Sequence, residues 1–253
     1  MEIHAMWMMA ANLLIGALMG LLGGLFGIGG GLIAVPVLVV LYGFDQQLAQ
    51  GTALVMMIPT LIMGFLRYKQ RNGIEWRTAG ILGGAAVCVT FVAAHIATGM
   101  SSRTLHLAFA VFMAFLGLYY LFNIVKTETK QRSLVPQKYL FAIGILMGMT
   151  SGFFGVGGAI VAVPVLVTFF GVAQTAAQGM GLAAVVPGAI VALFTYGHAG
   201  FVDWSVGTPL AIGGFVSVSW GVALAHHLPE KKLRIAFCAG IILLAMWLLY
   251  KEL

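Results

Sequence analysis

Polar residues along the chain are confined to short turns, and the apolar stretches between them run for about ten to twenty residues without strand-like alternation. A helix needs about 20 apolar residues to cross a hydrocarbon core about 30 Å thick, whereas a membrane barrel is written in alternating stretches of about ten. The pattern predicts five helical segments in the first half, at about 6–27, 32–41, 50–66, 78–97 and 105–125. The second is too short to span as helix alone. It follows Gly27-Ile28-Gly29-Gly30-Gly31 and contains Pro36, so the helix should break at the glycines. Either a half-helix follows, or an extended stretch over 29–35 with a short helix from Pro36.

The same pattern returns 128 positions later without a gap. Gly155-Val156-Gly157-Gly158 and Pro164 copy the first break, and Gly16, Gly20 and Gly24 return as Gly144, Gly148 and Gly152. Gln50-Gly51 returns as Gln178-Gly179, Pro59 as Pro187 and Tyr68 as Tyr196. Self-similarity at a fixed offset marks a duplicated unit. Two five-segment repeats, 1–125 and 139–253, are therefore expected, joined by a linker at 126–138. The fold class is all-α: a polytopic membrane protein with 8 full spans plus two short broken or re-entrant segments, up to 10 helices. The glycines four apart form small-residue ridges that let another helix approach closely. Pro59 and Pro187 should kink their segments.

Composition agrees with the pattern. The chain is 61% hydrophobic and only 8% charged, whereas soluble domains carry about 25% charged residues. Charge then orients the spans, because cytoplasmic loops collect Lys and Arg. If each short segment carries the chain back to the side from which it came, eleven of the 13 Lys and Arg fall on one side and only Arg103 and Lys251 on the other. If each break merely interrupts one span, the split is nine against four. The first topology is expected, with the repeats inverted, both termini extracytoplasmic and the linker in the cytoplasm of a cell bounded by this inner, or plasma, membrane. The start of the chain lacks the basic residues and cleavage site of a signal peptide.

What the spans lack narrows the chemistry. All seven carboxylates lie in tails or loops, so a cation would find no counter-charge in the core and a proton relay no acid. An anion needs only oriented donors. His95 lies near the end of its segment, and His198 and His226-His227 have no ligand neighbours, so no metal or cofactor is expected. Cys88 and Cys238 read as small core residues. No basic patch with interleaved aromatics suggests nucleic acid. A nucleophile in the spans would have no carboxylate to orient its base, so an enzyme is not expected. The candidate substrate site is the backbone around Gly29, Gly30, Gly157 and Gly158, whose amides would sit at positive helix ends, with the amides of Gln50 and Gln178 beside them. Pro36, Pro164, Pro59 and Pro187 are candidate hinges.

With its paired glycine breaks, each followed by Val-Pro (Val35-Pro36, Val163-Pro164), and its paired Gln-Gly, the chain resembles the sulfite exporter TauE/SafE family, also called the toluene-sulfonate uptake permease family, from about residue 12 to 249. The resemblance implies a transporter of small anions such as sulfite, sulfonates or related sulfur compounds. The partners expected are a small anionic substrate and the bilayer, and a homodimer is compatible with the sequence. An anion channel, or a facilitator for another small organic acid, is the alternative.

Overall fold

The computed structural model describes residues 2–71, 75–124 and 139–228, with 235, 239, 240, 242, 243, 246 and 247. Its helices there are α1 (Glu2–Phe26), α2 (Gly31–Leu41), α3 (Gln46–Arg71), α4 (Trp76–Gly99), α5 (Ser102–Ile124), α6 (Leu140–Phe154), α7 (Ala159–Phe170), α8 (Gln174–His198) and α9 (Trp204–His227). Six of them are long and apolar enough to cross a membrane, and α2, α6 and α7 are shorter. The linker at 126–138 and most of the expected tenth segment lie outside the described residues.

Both expected breaks are present. In the first, Gly27, Gly29 and Gly30 take positive φ of 68, 72 and 85°; in the second, Gly155 and Gly157 take 61 and 76°. L-residues rarely adopt that region, so only glycine passes through it without strain. The extended alternative is not what forms: α2 is helical from Gly31, with Pro36 inside it. Missing its N–H, Pro36 leaves the Leu32 carbonyl without a helical donor. The third segment is longer than expected, because Gln46 and Gln47 at one end and Lys69 and Gln70 at the other favour helix and extend it past the apolar run. It continues as helix through Pro59, and α8 continues through Pro187.

Each ridge of glycines meets a helix of the other half. Gly16, Gly20 and Gly24 of α1 lie against Leu210, Gly214 and Val218 of α9, and Gly144, Gly148 and Gly152 of α6 against Leu82, Ala86 and Thr90 of α4. Both pairs run parallel. Gly207, Gly214 and Gly64 likewise match α9 to α3 in the same direction, and Gly83 and Gly188 match α4 to α8. The central pair differs: Gln50 meets Tyr196 while Gly64 meets Leu182, so α3 and α8 run in opposite directions. Since α1 and α3 share a direction, α2 and its flanks must carry the chain back between them, and α7 does the same between α6 and α8.

Size is sorted as in a membrane bundle, where small residues permit close packing and large apolar ones face lipid. Ala53, Ala86, Ala94, Ala97, Ala184, Ala189 and Ala192 are buried, whereas Leu14, Leu18, Phe115, Phe194 and Trp220 are exposed. Cys88 corrects the sequence reading: it is exposed on α4 and does not belong to the core. Burying it would need a neighbour on that face, and α4 turns its other side to α6 and α8. Trp76 and Trp204, exposed at the starts of α4 and α9, occupy equivalent places in the two halves, as interfacial anchors do.

Candidate functional site

The two breaks meet. A Cβ placed on Gly31 would lie 3.1 Å from Val156 Cα and 3.2 Å from Gly155 O, so the backbone of one half touches that of the other. Residues 27–31 and 155–158 are all buried, as irregular backbone at membrane depth must be. After the breaks, Ile33 and Ala34 donate to Gly30 O, and Val161 and Ala162 to Gly158 O. The amides of Gly31 and Leu32 in one copy, and of Ala159 in the other, precede these first helical bonds and are open donors at positive helix ends.

The carbonyl ends of the preceding helices are closed by side chains from the central pair. Tyr68 Oη donates to Gly24 O at 2.9 Å, and Tyr196 Oη lies 3.1 Å from Gly152 O and 2.7 Å from Gln50 Oε1. Gln178 Nε2 donates to Phe26 O at 3.0 Å. The two glutamines thus end in different states. Gln50 keeps Oε1 occupied and Nε2 without a partner, whereas Gln178 keeps Nε2 occupied and Oε1 without one. Both are fully buried.

Met57 fills the space between the breaks. A Cβ on Gly31 would come within 2.6 Å of its Sδ, one on Gly157 within 3.5 Å, and one on Gly29 within 3.2 Å of its Cγ. Thr60 Oγ1, 2.9 Å from Gly29 O and 2.7 Å from Met57 O, ties α3 to the first break one turn further on. Of the sequence candidates, Gly29 faces Leu61 and then Met57, and Gly157 faces Val185 and then Met57. Gly30 packs on Met56 and Met19, and Gly158 lies against the Met147 backbone.

Over residues 12–248 the chain matches the profile of the family described as Sulfite exporter TauE/SafE. The chain belongs to the sulfite exporter TauE/SafE family. Its similarity extends to curated relatives named probable membrane transporter proteins. One from Xylella fastidiosa is 28% identical over 235 residues, covering 91% of this chain and 90% of the relative. One from Methanocaldococcus jannaschii is 23% identical over 265 residues, with 98% of each covered, and one from Bacillus subtilis is 25% identical over 219 residues, covering 83% of this chain and 89% of the relative.

Within this family member the glutamines do not converge on one point. Each sits in the first turns of its helix, and α3 and α8 run in opposite directions, so the amides lie towards opposite ends of the pair. Gln50 packs on Gly155 and Gln178 on Gly27, each against the break of the other half. The arrangement is serial: glutamine, break, break, glutamine. Pro36 is buried within α2, and Pro164 lines an apolar groove between α5, α6 and α7. Among the described residues no group of His, Cys, Asp and Glu is placed to hold a metal ion.

Sequence reasoning missed Met57, Thr60 and the tyrosine caps. It also missed Gln46, whose recurrence as Gln174 at the same offset of 128 was there to be read, and His106, which is buried against it.

Proposed function

We propose that the chain is a transporter that carries a small anion, a sulfur oxyanion or organosulfonate such as sulfite, across the cytoplasmic membrane between its two halves. The observation that supports this most is the buried contact between the two glycine breaks, with the starts of α2 and α7 beside it and the flexible Met57 side chain packed against both breaks. Among the described residues no Lys or Arg is buried in this core, so helix-end amides and the Gln50 amide are the groups that can replace an anion's hydration shell. The carboxylates described support the same sign. Glu75 and Asp203 precede α4 and α9, where Asp203 Oδ1 accepts from Ser205 N and Val206 N and Glu75 Oε2 from Thr78 Oγ1; both stand outside the spans.

We further propose that the halves are inverted in the membrane, with both termini extracytoplasmic, a reading supported by the opposed α3 and α8 and by the eleven-to-two split of basic residues. A cysteine in the 126–138 linker should then escape an impermeant thiol reagent in intact cells, and its labelling there would contradict the orientation.

The glutamines give the direct test of the site. A hydrogen bond to a charged group contributes about 1.5–3 kcal/mol, so Gln50→Ala should weaken anion binding about ten-fold or more; it also lowers the melting temperature, since the side chain is buried and accepts from Tyr196 Oη, although that hydroxyl keeps the Gly152 carbonyl as its other acceptor. Gln178→Ala should act less on affinity and more on stability, because it uncaps the Phe26 carbonyl. Titration calorimetry and thermal melts on the purified protein separate the two effects. Unchanged affinity in Gln50→Ala would remove the amide from the site.

A further inference from the structure

A second polar site stands at the mouth of the same path. The starts of α3 and α5 converge on a cavity of about 440 Å³ lined by Gly43, Phe44, Asp45, Gln46, Ser102, Arg103 and His106, with Val39 behind. The two helix starts are tied directly, since Gln46 N–H donates to Ser102 Oγ at 3.0 Å. Among the described residues, two positive helix ends and the Arg103 guanidinium face one exposed carboxylate, Asp45. The balance favours an anion.

Gln46 makes this more than a charged surface. It is 1% exposed, and its Oε1 lies 3.1 Å from His106 Nδ1, the geometry of an imidazole N–H donating to the amide. That bond fixes the amide, and its Nε2 has no partner. Burying a donor with its bond unmade is costly, so a buried amide of this kind marks a place for an absent acceptor. Gln50, whose Nε2 is also without a partner, is four residues on, which on a helix is the same face one turn deeper. Gln50 in turn packs on Gly155 at the second break.

We propose that this cavity is a recruitment site for the transported anion, a small sulfonate, sulfite or carboxylate held by Arg103 and Gln46 Nε2 and passed one helical turn inward to Gln50. The inference rests on the transporter reading above, and the topology proposed there places the cavity on the extracytoplasmic face.

The test uses liposomes carrying the full chain in one orientation, with sulfite or methanesulfonate offered to one face at a time. Arg103→Gln removes an exposed side chain. It should raise the half-saturating concentration about ten-fold from the cavity face and by less than two-fold from the other. Gln46→Glu, nearly isosteric but anionic, should raise it further on the same face. Equal shifts from both faces, or silence in both variants, would overturn the recruitment site and leave water as the partner of Gln46 Nε2. If Gln50→Ala behaves as expected while these variants are silent, the recruitment site alone fails. A parent protein without saturable flux of either anion would overturn both readings.

Discussion

A leucine at Gly20 should lower the melting temperature of the purified protein by about 6–12 °C, and Gly148→Leu should do the same. The Cβ alone would already overlap the Gly214 backbone in the first case and lie 2.5 Å from Ala86 O in the second. In both the obstacle is main chain, which cannot rotate aside, so α1 must part from α9, or α6 from α4. Overpacking costs about 1–3 kcal/mol and more where backbone must move; a chain of this size loses about 2–4 °C for each kcal/mol. Gly84→Leu is the control. It lies on α4, the helix that receives Gly148, but nothing stands within 4 Å of a Cβ there. If Gly20→Leu and Gly148→Leu melt with the parent and with Gly84→Leu, the two halves are not held together by these ridges.

Met57→Phe should reduce anion flux towards that of protein-free liposomes while the fold survives. The phenylalanine ring is somewhat bulkier than the methionine side chain, and overpacking here should cost about 1–3 kcal/mol, which a thermal melt would register without loss of the fold. The two side chains differ more in freedom. Methionine has three rotatable bonds and can swing out from between Gly29, Gly31 and Gly157, whereas a ring wedged among three glycine backbones cannot. Met57→Leu keeps a flexible aliphatic chain and should retain most of the flux. Normal rates in Met57→Phe would mean that the anion does not pass between the breaks.

The sequence carried the parts that repeat and the parts that break. Both glycine breaks, both ridges and the order of the nine helices among the described residues were legible, because glycine at positive φ, small residues four apart and long apolar runs are local signals. The partner of each ridge was not legible. Gly20 is a small residue on a helix face whichever helix it meets, and that it crosses to the other half depends on contacts nearly two hundred positions away. The pairing of Gln46 with His106 spans 60 positions and was hidden for the same reason. The candidate site was half legible. Gln50 and Gln178 stood out as repeats, but the opposed directions of α3 and α8 put them in series, and Met57 was masked because its repeat partner is Val185. The family resemblance added the proposed substrate class, and no residue pattern would have supplied it.

The central claim is that the anion passes at the contact of the two breaks, and a cysteine at Met57 tests it most directly. Met57→Cys, in a Cys88→Ser/Cys238→Ser background reconstituted in liposomes, would be exposed to the small anionic reagent sulfonatoethyl methanethiosulfonate. The cysteine should react during turnover, methanesulfonate should slow the reaction over the same concentrations that saturate its own flux, and flux should cease once labelling is complete. A cysteine that never reacts, or one that is fully labelled while flux continues, would contradict a path between the glycine breaks.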